Sequence, residues 1–170
     1  YEVLRTISLH LDPETVVQEA TEAIAKLAKW AAVAILVYDE ELSLFSVQSA
    51  TGNLRTYMGE HVGVKDGVSG RAFAENQTQV ISNLQADPAY EGVEDYHSAI
   101  SIPLRRGDRR IGVFHVESGE IDAFSADDVQ LAEALAEAIG LAMENARTHV
   151  ELRDYAAGLS TLYTVTRQLS

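Results

Sequence analysis

The sequence predicts an α+β fold, with an open sheet in the middle of the chain and long helices at both ends. Three observations predict it. Ser98–Ser118 (SAISIPLRRGDRRIGVFHVES) holds two apolar runs joined by a tight charged turn, which is a hairpin signal. Ala32–Tyr38 (AVAILVY) is continuous and rich in branched residues, as a buried strand is. Leu131, Leu135, Ala138, Ala142, Asn145, His149, Leu152, Ala156, Leu159, Tyr163 and Thr166 follow alternating steps of four and three, the spacing of a heptad seam.

In chain order, residues 2–10 are amphipathic, with Val3, Leu4 and Ile7 on one side, and predict a first helix. Asp12-Pro13 restarts a helix, with Asp as N-cap and Pro at the first helical position. Its apolar residues Val17, Ala20, Ile24 and Ala28 run to about Lys29. After Ala32–Tyr38, Asp39-Glu40-Glu41 turns the chain and Leu42–Ala50 pairs back. A short strand is expected near His61–Val64, then a helix with Ser69 as N-cap and Arg71–Glu75 as its body. Gln79–Ser82 is a short β run, and Asn83–Gly92 is dense in loop formers. Val93–Tyr96 allows one helical turn before the hairpin. Pro103 fits an edge or a bulge rather than a central ladder. Ser125-Ala-Asp-Asp128 is a capping box ahead of the last helix, whose Ala-rich start is expected to pack on the sheet. Its later, more polar part outlives the domain, and a seam of that kind meets a second chain. Tyr1–Ser8 and Tyr163–Ser170 share Tyr, Val, Arg and Ser at equal spacing, so a second copy of the unit is expected to begin at the end of this chain.

Composition removes several function classes. There is no cysteine, hence no disulfide, thiolate metal site, nucleophilic cysteine or thioether-bound chromophore. The five histidines show no metal-ligand spacing. A net charge of −13 repels phosphate backbones and anionic lipid, so neither nucleic acid nor membrane is an expected partner. Arg105, Arg106, Arg109 and Arg110 crowd the hairpin tip, where they read as a solvated, charge-blunted turn.

The chain resembles a GAF domain over roughly residues 3–147. The resemblance rests on DGVSGRAFAENQTQVISN, DPAYEG, SAISIPLRRGDRRIGVFHVES and AFSADDVQLAEALAEAIGLAMENA. It implies a profilin/PAS-like antiparallel sheet of five or six strands. The N- and C-terminal helices would cover one face, with short helices and loops over a pocket on the other. The expected organisation is a domain over 1–147 and a helical linker over 148–170 leading into a following domain. The implied role is a non-catalytic, cytoplasmic regulatory module of a larger signalling protein. It would bind a small molecule, dimerise through its C-terminal helix, or both, and pass its signal along that helix. The alternatives are a degenerate scaffold with a self-filled pocket and, less favoured, a cyclic-nucleotide sensor.

The resemblance also ranks ligands. Cyclic-nucleotide-binding members carry Asn-Lys after the last strand, then Phe, three residues and Asp-Glu. Here Glu117-Ser118 takes the first place, Phe124 and Asp128 match, and Val129 replaces the Glu, so the motif is broken. Bilin attachment and free methionine sulfoxide reductase activity need cysteine in this family. Haem is not expected, since His97 stands too close to Pro103, and the cofactor is left open. Candidate ligand-binding residues are Arg71, Tyr90, Tyr96, His97, Ser101 and His115. Arg71 either meets an anionic group or pairs with Glu75 one turn on. Tyr90, Tyr96 and His97 either line a pocket or plug it. Ser101 and His115 interrupt apolar strands, where a polar group must face water or a site. No catalytic or metal-ligating set is assigned.

Overall fold

The computed structural model describes residues 12–28, 30–90 and 94–168. Helix α1 (Pro13–Ala28) is capped by Asp12, whose carboxylate accepts from the Thr15 N–H at 3.0 Å and the Thr15 hydroxyl at 2.7 Å. The helix expected over residues 2–10 lies outside the described residues, as does Val93 of the expected turn.

Six strands form one sheet: β1 (Ala32–Asp39), β2 (Leu44–Ala50), β3 (His61–Gly63), β4 (Gln79–Ile81), β5 (Ser98–Arg106) and β6 (Arg109–Ser118). Their order is β3-β2-β1-β6-β5-β4, with every neighbour antiparallel. The Ser98–Ser118 hairpin therefore supplies one central strand, β6, which pairs with β1; β5 stands one place out. Pro103 is tolerated because β4 reaches only Ser101, leaving β5 without a neighbour there on that side.

Alternation along β1 and β6 splits the domain into two cores. Val33, Ile35, Phe114 and Val116 face α1 and the last helix, with Ile100, Ile102 and Leu104 of β5. Ala34, Leu36 and Val113 face the opposite layer with Phe45, Leu54, Val68 and Phe73. That second layer comprises a 3₁₀ turn (Gly52–Tyr57), helix α2 (Gly67–Glu75) and a second 3₁₀ turn (Leu84–Ala86).

Helix α2 begins two residues before the expected N-cap. Asp66 holds the cap position with extended backbone, and Gly67 follows at φ +63°, where a side chain would be strained. Ser69 thus lies inside the first turn and its hydroxyl is free for other partners. The far end of α2 is tied down by Arg110, which donates to the Phe73 and Ala74 carbonyls and lies 4.8 Å from the centre of the Phe73 ring.

Helix α3 (Ala126–Gln168) opens with the expected box: Asp128 N–H donates to Ser125 Oγ at 3.2 Å, and Ser125 N–H to Asp128 Oδ2 at 2.8 Å. The line that packs on the domain is Ala132, Ala136, Ile139, Gly140, Met143 and Ala146, with Ala142 beside it. Of the expected seam only Ala142 is buried there; Leu131 and Asn145 are exposed. The apolar line facing away from the domain is instead Leu131, Ala134, Ala138, Leu141, Leu152, Tyr155, Leu159 and Leu162, with Asn145 and Thr148 in its middle. These positions also alternate by three and four. From Glu151 to Gln168 every residue of the helix is exposed. Among the described residues no helix is long and apolar enough to cross a membrane.

Candidate ligand site over the sheet

A cavity of about 340 Å³ opens on the second face of the sheet. This falls within the roughly 300–1,000 Å³ of small-molecule sites. Ala34 and Leu36 of β1 and Val47 of β2 make its apolar floor, with Leu54 and Tyr57 from the first 3₁₀ turn. Gly67, Val68 and Ser69 at the start of α2 form one wall, and Ala89 and Tyr90 another. Glu60, His61 and Asp66 stand at the mouth, all exposed. His115 and Glu117 of β6 contribute the buried polar groups.

Those groups form one connected line. His115 Nε2 lies 2.9 Å from Glu117 Oε1, and Nδ1 lies 3.0 Å from Ser101 Oγ and 3.3 Å from Ser69 Oγ. The two hydroxyls are 3.2 Å apart. The partners assign the tautomer: Nε2–H donates to the carboxylate and Nδ1 accepts from serine. His115 is 7 % exposed and Glu117 3 %. The second carboxylate oxygen of Glu117, Oε2, is buried without a hydrogen-bond partner among the described residues.

The structure separates the six candidate residues. Tyr90 and His115 line the cavity, and Ser101 stands behind His115, fully buried. Arg71, Tyr96 and His97 do not line it. Arg71 takes its ion pair from Asp87 and not from Glu75. Its guanidinium holds Asp87 at 2.6 Å and donates to Gln79 Oε1 at 3.1 Å. The hydrogen bonds from Arg71 keep the Asp87 carboxyl below the usual carboxylate range, and Asp87 in turn accepts from the Ala89 N–H at 3.0 Å. Arg71 is thus a positioning residue for the Ala89–Tyr90 wall. Tyr96 is buried, and its hydroxyl accepts from the Asn53 N–H at 3.0 Å. The backbone of His97 bridges Leu84 and Ser118. Sequence reasoning missed Glu117 and Ser69 as site residues. The signal for Glu117 was present, since residues two apart on a strand share a face and His115 was already singled out.

Solved structures of similar fold include free methionine-R-sulfoxide reductase from Neisseria meningitidis in complex with its substrate, at TM-score 0.79 and 20 % identity over 86 % of this chain and 87 % of that one. The GAF domain of a phosphoenolpyruvate-protein phosphotransferase from Acinetobacter matches at TM-score 0.79 and 16 % identity, over 86 % and 91 % of the two chains. The second GAF domain of DevS from Mycobacterium smegmatis matches at TM-score 0.70 and 19 % identity, over 83 % and 99 %. These identities speak for the fold alone. The expectation that the chain is no enzyme is corrected by the first of them, since this fold houses an enzyme and does not imply a non-catalytic role. The fold brings Ser69, Ser101, His115 and Glu117 together in one hydrogen-bonded line. The sequence matches the GAF domain family over residues 10–144, and with the six-stranded sheet and its two helical layers the chain belongs to that family.

Proposed function

We propose that this domain is a regulatory module that binds a small molecule in the cavity over the sheet and passes its occupancy to helix α3 and a second copy of the chain. The observation that carries the reading is the cavity, with its apolar floor and one buried polar line, Ser69–His115–Glu117. A scaffold filled by its own side chains would leave no such space. The outward line of α3 supports the dimer: Leu152, Tyr155, Leu159 and Leu162 are large apolar side chains left exposed. A helix of that composition gains stability chiefly from packing a partner along its apolar line. The boundary near residue 147, a following domain, a tandem copy and a cytoplasmic location belong to this reading too.

The ligand site is tested with Ala34→Phe, which fills the floor. Ligand retained through purification and detected by native mass spectrometry, or found by an NMR screen of metabolites, is expected to be lost in the variant. Equal retention by the folded variant overturns the reading.

A second reading is favoured by one observation, the order hydroxyl, imidazole, carboxylate in Ser69, His115 and Glu117. In that reading Ser69 Oγ attacks an ester carbonyl carbon while its proton moves to His115 Nδ1. The C–O bond to the alkoxide then breaks and the proton passes to the leaving alcohol; water releases the acyl group by the same route. A fluorophosphonate that labels Ser69 in the wild type and not in His115→Gln supports it, and absence of labelling at high probe concentration removes it.

A further inference from the structure

We infer that the cavity selects an organic cation, a ligand whose protonated amine or guanidinium meets Glu117. The inference rests on the ligand-site reading and adds the ligand's chemical class. Its first support is the carboxylate itself. Glu117 is on the cavity wall and 3 % exposed, and its Oε1 is engaged by His115. Its Oε2 has no partner among the described residues. A buried carboxylate oxygen left without a donor is costly, and a charge-assisted N–H from a ligand removes that cost.

The second support is the sign of the whole site. Among the described residues the lining includes Glu60, Asp66 and Glu117 and neither lysine nor arginine. Arg71, on the same helix as Ser69, is turned to Asp87 and Gln79. An anionic ligand therefore meets three acids, with only the imidazoles of His61 and His115 beside them among the described lining residues, which disfavours phosphates and carboxylates. The third support separates an organic cation from a metal ion. Among the described residues no three acids or histidines converge as metal ligands. Leu36, Val47 and Leu54 line the space with the rings of Tyr57 and Tyr90, surfaces that suit an apolar body carrying one charge.

Three probes of matched shape test the class by calorimetry on the full chain: 2-phenylethylammonium, 2-phenylethanol and phenylacetate. The ammonium is expected to bind about tenfold tighter than the alcohol or more, the range of one charge-assisted hydrogen bond, with phenylacetate weakest. Glu117→Gln is expected to bring the ammonium to the level of the alcohol. Equal binding of alcohol and ammonium by the wild type overturns the inference, as does full preference retained in Glu117→Gln. If Glu117→Gln does not fold, the wild-type ranking decides alone. Ala34→Phe keeps the two readings apart: binding of all probes unaffected by it overturns the ligand site itself. Loss of binding in Ala34→Phe without cation preference in the wild type overturns only the class. No binding by any probe at millimolar concentration overturns the class as well.

Discussion

Two glycines show how single residues set the spacing of this fold. A Cβ on Gly112 would stand 2.1 Å from the Leu36 carbonyl oxygen, and one on Gly140 would stand 2.7 Å from the Arg105 carbonyl oxygen. Both obstacles are backbone, which cannot swing aside. Gly112→Ala is expected to cost about 1–3 kcal/mol or more, because β1 and β6 at the sheet centre must move apart. Gly140→Ala tests which of two effects wins. Alanine gains up to about 1 kcal/mol in helix propensity, yet the clash lifts α3 off β5, so net destabilisation is expected. Urea unfolding of both variants measures this, and a more stable Gly140→Ala would show that α3 has room to shift. The Arg71–Asp87 pair makes a pH prediction. Asp87 is held below its ordinary value of 3.8, so its contribution is present above that value and is lost as pH falls through the lower folded value. With Asp87 side chain 9 % exposed and Arg71 30 %, Asp87→Asn is expected to cost about 1–2 kcal/mol at neutral pH. The gap to wild type should narrow as pH falls below 3.8; a gap independent of pH would assign the loss to packing.

At the scale of elements, what was legible in the sequence was whatever is encoded locally. The Asp12 cap, the Ser125–Asp128 box and the Arg106–Arg109 turn each lie within a few residues, and each forms as expected. The register of α3 was not legible in that way. Alanine stands at 132, 134, 136, 138, 142 and 146, so several lines along the helix look equally able to pack. Only the position of the sheet selects Ala132, Ala136, Ile139 and Met143 for its own face. That choice leaves Leu131, Leu141, Leu152 and Leu159 outward and puts Asn145 on the same line. Glu137, Glu144 and Glu151 flank it at intervals of seven. In an antiparallel pair these acids would face each other across the seam; a parallel pair sets them against Ala142, His149 and Ala156. Leu159→Asp is therefore expected to shift sedimentation to a monomer with helix content of the domain kept. Asn145→Leu is expected to tighten association while relaxing the dimeric state toward higher oligomers. A wild type that sediments as a monomer at high micromolar concentration would remove the seam.

At the scale of the whole molecule, the site and the seam are separated by one sheet. The polar line could not be assembled from the sequence, because Ser69 and His115 are 46 residues apart and meet only through the packing of α2 on β5 and β6. His115 and Glu117 point to the cavity while their neighbours Phe114 and Val116 pack in the core shared with α3. In the proposed reading, a movement of β6 at the site is carried to the helix through this close-packed core. This gives the coupling a thermodynamic form. If a ligand changes the dimerisation constant by some factor, dimerisation must change ligand affinity by the same factor. The dissociation constant of the dimer, measured by sedimentation with and without saturating 2-phenylethylammonium, supplies one side of that equality. The affinity of wild type against monomeric Leu159→Asp, measured by calorimetry, supplies the other. The two ratios are expected to agree and to differ from one by about five-fold or more, the lower range of known couplings. Leu159 is exposed and lies beyond Ala146, the last residue of α3 in the core among the described residues, so its replacement leaves the cavity untouched. Both ratios equal to one would mean that the sheet holds ligand and helix as independent parts, and that α3 carries no signal from the site.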